Sequence, residues 1–134
     1  MMKQWVTRLG ITAAFALAMV AGVTSPAFAA NTNVDLVYRD ILVGEMMHVD
    51  DGDVFRVYDW YADGHGVEGT LQYYNSLQGG WINTESEYNN TGSGTYVKFA
   101  HDVLNVWAYR MKVCLQDGAN DSTPIKCAYV GFTE

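Results

Sequence analysis

Past residue 31 the chain shows no helical periodicity. Apolar and polar residues instead alternate in short runs, closed off by clusters of Gly, Asn and Asp. A period of two puts successive side chains on opposite faces of an extended strand, so this pattern confines the chain to β structure. The runs are Val34 to Tyr38, Ile41 to His48, Val54 to Trp60, Val67 to Tyr74, Trp81 to Glu85, Thr95 to Phe99, Val106 to Leu115 and Ile125 to Phe132. Turn-formers separate them at Asp50-Asp51-Gly52-Asp53, Asp63-Gly64-His65-Gly66, Gly79-Gly80, Asn89 to Gly94 and Asp117 to Pro124. Seven or eight short strands so spaced predict a small antiparallel β-sandwich, with a small β-barrel as the alternative.

The only cysteines, Cys114 and Cys127, sit in the last two runs. If they are directly opposed on antiparallel neighbours, Val113 faces Ala128, Met111 faces Val130, and Tyr109 faces Phe132. Those residues, with Trp107, then share the core side, while Arg110, Lys112 and both cysteines take the other. Opposed positions are within disulfide reach, and the implied turn falls on Asp117 to Pro124. One cross-strand disulfide, Cys114 to Cys127, is therefore expected. In the fourth run Val67, Gly69, Leu71 and Tyr73 share a face against Glu68, Thr70 and Gln72. The third run is open between Phe55 and Val57 facing inward, or Val54, Tyr58 and Trp60.

The N-terminus has the layout of a secretory signal. Lys3 and Arg8 precede an apolar stretch from Ile11 to Val23, and Ala27-Phe28-Ala29 fits a cleavage site. At about 13 residues that stretch is short of the roughly 20 a spanning helix needs. The reading is a signal peptide over 1–29 and a single β-rich domain over 30–134, secreted and with no membrane attachment after cleavage. Without Lys3 and Arg8 the formal charge moves from −7 to about −9. So acidic a domain repels phosphate backbones and anionic lipid, which argues against nucleic-acid and membrane partners.

Carboxylates crowd two turns, Asp50, Asp51 and Asp53 in one, Asp117 and Asp121 in the other. Hard oxygens on a loop are what calcium takes, yet neither turn has EF-hand spacing, and solvated turn residues account for both. These are weak calcium candidates; no cofactor is otherwise expected. His48, His65 and His101 are too scattered for a zinc motif. No Gly-x-Ser-x-Gly elbow is present and both cysteines are committed, so a nucleophilic enzyme is not indicated.

Aromatic residues are the most suggestive group. Tyr and Trp join an apolar face to a polar tip, which suits stacking on sugars or anchoring a protein partner. Trp60, Tyr74, Trp81 and Tyr88 are the ligand-binding candidates. In strands, adjacent pairs such as Trp60-Tyr61 and Tyr73-Tyr74 must point to opposite faces, which leaves one of each exposed.

The segment from Val57 through Asp59, Ala62, Asp63 and Gly64 to His65 reads V-x-D-x-x-A-D-G-H. With the Asn/Gly-rich turn at Asn89 to Gly94 and the late cysteine pair, it resembles a set of small, uncharacterised secreted actinobacterial proteins. The resemblance implies a secreted β domain, implies no activity, and carries over no catalytic residue. The sequence thus points to a non-enzymatic extracellular binding or cell-surface module for a polysaccharide or cell-wall polymer. The alternatives are a protein-binding module, such as an inhibitor or surface-assembly component, and a small hydrolase. It leaves the oligomeric state open.

Overall fold

The alternating runs form eight antiparallel strands: β1 (Thr32–Tyr38), β2 (Ile41–Val49), β3 (Val54–Asp59), β4 (Gly66–Asn75), β5 (Gly80–Asn89), β6 (Thr95–Ala100), β7 (Tyr109–Gln116) and β8 (Lys126–Phe132). The structure, a computed structural model, describes residues 30–134; the signal segment expected over 1–29 lies outside them. One sheet runs β1-β2-β3-β6 and the other β5-β4-β7-β8, with the buried residues of both sheets between them as a β-sandwich. No helix among the described residues is long and apolar enough to cross a membrane.

The core is the inward-facing half of the alternation. Leu36, Met46, Phe55 and Val57 from the first sheet meet Val67, Leu71, Met111 and Val113 from the second, all fully buried. The third run resolves as Phe55 and Val57 inward. Its other face stacks in the open: the Tyr58 ring lies 4.8 Å from Trp60 and 5.2 Å from Tyr96, centroid to centroid. Aromatics thus occupy both faces of β3, and only the cross-strand neighbours decide which face is core.

The terminal hairpin has the expected register, with Cys114 opposite Cys127, Val113 opposite Ala128, Met111 opposite Val130 and Tyr109 opposite Phe132. The disulfide joins the two cysteines. Closing a loop of this length stabilises the fold by about 3 kcal/mol, chiefly by restricting the unfolded chain. Cys114→Ser combined with Cys127→Ser is expected to lose about that much in thermal or urea unfolding; a variant that melts like the parent would contradict the bond.

Two strand limits differ from expectation by more than two residues. Strand β7 starts at Tyr109 rather than at Val106, and 101–108 is the loop that carries the chain from β6 across to β7. Trp107 is therefore not a core residue. It is 44% exposed and rests edge-on against Tyr73, 5.4 Å between centroids. The period of two was extended back past the point where the chain leaves the sheet, and Asp102 and Asn105 mark that loop. Strand β5 runs on to Asn89 rather than stopping at Glu85, because an edge strand tolerates the polar Thr-Glu-Ser-Glu stretch.

The strand order fixes where loops meet. The chain crosses between sheets three times. The β3–β4 crossing (60–65) and the β5–β6 crossing (90–94) lie at the same end as the β7–β8 turn (117–125), while the β6–β7 crossing lies at the other.

Candidate functional site: the mouth of the sandwich

At the end where the three connections meet, the sheets part around a cleft of about 390 Å³, lined by Asp59, Tyr61, Asp63, His65, Tyr88, Asn90 and Ser93 among others. Its deepest acid follows from strand alternation. Phe55, Val57 and Asp59 share the inner face of β3, so the last of them reaches the rim of the core as a carboxylate. Asp59 is only 4% exposed. One of its oxygens accepts the Tyr61 backbone N–H at 3.3 Å, and no other side-chain or backbone donor reaches it among the described residues.

Each wall is braced by hydrogen bonds within its own sheet. The Gly94 N–H donates to the Asp59 carbonyl at 2.7 Å, and the Ser93 hydroxyl donates to the Trp60 carbonyl at 2.9 Å. On the second sheet the Tyr88 hydroxyl donates to the Gln116 carbonyl at 3.2 Å and accepts the Gly118 N–H at 3.0 Å. Its ring lies so close over Gly66 that a Cβ there would overlap it. Glu68, buried beside Tyr88, accepts Gln116 Nε2 and the Asn120 N–H, each at 2.9 Å, and so fixes the β7–β8 turn against the sheet. His65 Nδ1 pairs with Asp117 Oδ1 at 2.6 Å, and the His65 N–H donates to Asp63 Oδ1 at 2.9 Å.

Two titrations are displaced here. Burial pushes the Asp59 carboxyl above the ordinary aspartate value, with the Tyr61 N–H opposing and the nearby Asp63 charge adding to the rise. The hydrogen bond that the His65 imidazolium donates to Asp117 holds the charged form, raising its pKa despite some desolvation. An acid whose folded pKa lies above its unfolded one stabilises the fold while protonated, and that contribution is lost as pH rises through the folded value. At pH 7, Asp59→Asn is therefore expected to raise the melting temperature, with the gain vanishing below about pH 4. A lower melting point at pH 7 would make the carboxylate a structural element rather than a strained one.

The sequence candidates fall in three places rather than one. Tyr88 lines the mouth. Trp60 lies on the outer face of the first sheet, donating its indole N–H to Glu45 at 3.1 Å. Tyr74 and Trp81 sit on the outer face of the second sheet, edge to face at 5.5 Å. There the Arg110 guanidinium lies 4.4 Å from the Trp81 ring centre and 4.6 Å from that of Tyr129, and its Nε donates to Gln72. The π-faces of Trp81 and Tyr58 are thus covered by intramolecular partners. Of the adjacent pairs, Tyr74 is exposed and Tyr73 half-buried; Trp60 and Tyr61 are both exposed, because β3 ends at Asp59.

No family model, curated protein or solved structure matches this chain. Its site is therefore read from geometry.

The acidic turns have local duties. Asp53 pairs with His48 Nε2 at 2.9 Å and accepts the Val103 N–H at 2.9 Å, tying the β2–β3 turn to the β6–β7 loop. His48 is buried between the rings of Phe55 and Phe132, each 4.7 Å away. His48, Asp50 and Asp53 form the one trio of His, Cys, Asp or Glu among the described residues whose ligand atoms lie within 4.8 Å of one another. Asp51 is exposed. Asp121 accepts the Thr123 N–H at 2.9 Å, the Asp117 N–H at 3.2 Å and the Thr123 hydroxyl, which hold its carboxylate below the ordinary range.

Sequence reasoning named Tyr88 and Asp117 but missed Asp59, Tyr61, Asp63, Asn90 and Ser93 as site residues. The signal for the first three was the V-x-D-x-x-A-D-G-H segment itself.

Proposed function

We propose that this domain is a secreted, non-catalytic binding module for a polysaccharide, which it engages at the mouth of the sandwich. The observation that carries the reading is the cleft itself, which Asp59, Asp63 and Asn90 line with planar polar groups and Tyr61 and Tyr88 with phenol rings. A pyranose offers hydroxyls around its edge and C–H groups on its faces. Carboxylates and amides suit the first, phenol rings the second. The cleft volume lies in the range of small-ligand sites, enough for a terminal sugar residue.

A binding role fits the bonding of the reactive groups better than a catalytic one. The Ser93 hydroxyl is turned to the Trp60 carbonyl and the His65 imidazole to Asp117, so the two do not form a nucleophile–base pair. The disulfide suits an oxidising compartment, in keeping with export through the N-terminal segment.

The test is adsorption of the 30–134 domain to insoluble cellulose, chitin and peptidoglycan, with Tyr61→Ala, Asn90→Ala and Trp81→Ala alongside the parent. Retention lost on the first two and kept on the third supports the mouth. Retention lost only on Trp81→Ala moves the site to the outer face of the second sheet. No retention on any polymer overturns the reading.

A second reading rests on the opposite end, where Leu77 is 98% and Val106 77% exposed, near the exposed Trp107. Exposed apolar side chains grouped at one end suit a protein partner.

A further inference from the structure

We infer that the group seated deepest in the mouth is a protonated amine, so that the favoured glycan is a cationic amino-sugar polymer rather than a neutral one. This rests on the polysaccharide reading above and names its substrate class.

Three observations carry it. First, the cleft is lined by the acids Asp59 and Asp63, and no Lys or Arg lines it among the described residues. Two cations stand near: the His65 imidazolium, which also lines the cleft and is paired with Asp117, and Arg39, which lies in the adjoining groove with its guanidinium over the Tyr38 ring at 5.1 Å. Second, Asp59 is more than nine-tenths buried yet only one of its oxygens is hydrogen-bonded, and that at 3.3 Å. A carboxylate this buried with so few protein donors favours a ligand that supplies them; an ammonium group brings three N–H donors and the opposite charge. Third, Tyr61 and Tyr88 both line the cleft, and phenol rings attract cations.

A bare metal ion suits the cleft less well. The trio of ligand atoms within 4.8 Å lies at the other end of the sandwich, at His48, Asp50 and Asp53, so the mouth acids do not close on one point. Two carboxylates and two phenols lining one cleft instead match an extended molecule that carries its amine on a ring with hydroxyls beside it. The domain as a whole is acidic, and its field draws a polycation toward the surface before the cleft selects it.

The experiment is isothermal titration of the 30–134 domain with three tetramers of like size: glucosamine, N-acetylglucosamine and glucose. The parent should bind the glucosamine tetramer at least roughly tenfold tighter than the other two, as one charge-assisted, cation–π contact would give. Asp59→Asn should abolish that preference, bringing the glucosamine tetramer down to the affinity of the neutral ones. Equal binding of all three would overturn the amine and leave the glycan reading standing; no binding of any would overturn both. A preference that survives Asp59→Asn combined with Asp63→Asn, or a tetralysine bound as tightly as the amino sugar, would show attraction to surface charge alone and also overturn it.

Discussion

Gly69→Val is expected to cost more than about 4 kcal/mol and to leave the domain largely unfolded at room temperature. Gly69 lies on the inner face of central strand β4, facing Val57 and Met46 of the opposite sheet. A Cβ there would overlap a γ-methyl of Val57 and come to 3.0 Å from the Met46 sulfur. Val57 and Met46 are fully buried and cannot swing into solvent. Close-packed interiors yield little to added volume, and here the added atoms would push the sheets apart rather than turn a flexible side chain. Gly69→Ala should show a milder version of about 2–3 kcal/mol. Val57→Ala in that background should recover part of the loss, because the two residues share one space. The check is urea unfolding followed by tryptophan fluorescence. A Gly69→Val variant as stable as the parent would mean that the sheets do not meet there.

Asn89→Ala should cost about 5 kcal/mol, at roughly 1 kcal/mol for each hydrogen bond lost. Asn89 ends β5 fully buried where the chain crosses back to the first sheet. Its Nδ2 donates to the carbonyls of Val57 and Thr95, at 3.0 and 2.9 Å. Its Oδ1 accepts the Thr91 N–H at 3.0 Å and the Thr91 hydroxyl at 2.7 Å, with the Thr95 hydroxyl at 3.3 Å. One amide thus joins three strands and shapes the loop that supplies Asn90 and Ser93 to the mouth. Loss of stability together with loss of polysaccharide retention is the expected pair of results. An Asn89→Ala variant that melts within a degree or two of the parent would contradict this network. Asn89-Asn90-Thr91 also matches the Asn-x-Thr pattern of a glycosylation acceptor, but the Asn89 Nδ2 is already committed inside the fold.

The terminal hairpin was legible to the residue, because alternation, turn residues and the cysteine pair constrain the same register independently. The two-sheet architecture followed from strand count and spacing. The facing of β3 did not. Phe55 and Val57 compete with Val54, Tyr58 and Trp60 on propensity alone, and the decision belongs to Tyr96 across the strand pair. Trp107 misled because a regular period gives no sign of where the chain leaves a sheet. The mouth was half legible. Asp59, Asp63 and His65 stand within seven residues, and Tyr88 was named for its ring. What gathers them with Asn90, Ser93 and Asp117 is that two crossings and the last hairpin turn lie at one end, a property of strand order that local sequence does not encode. His48 and Asp53, by contrast, flank a tight turn whose hairpin register brings them together.

The most direct test of the account is an amide NMR titration of the 30–134 domain with the glucosamine tetramer. Ligand seated at the mouth shifts the resonances of residues 59–65 and 90–93 and leaves Trp81, Arg110 and Tyr129 in place. Shifts confined to the outer face of the second sheet, or to the 101–108 loop at the opposite end, would contradict it.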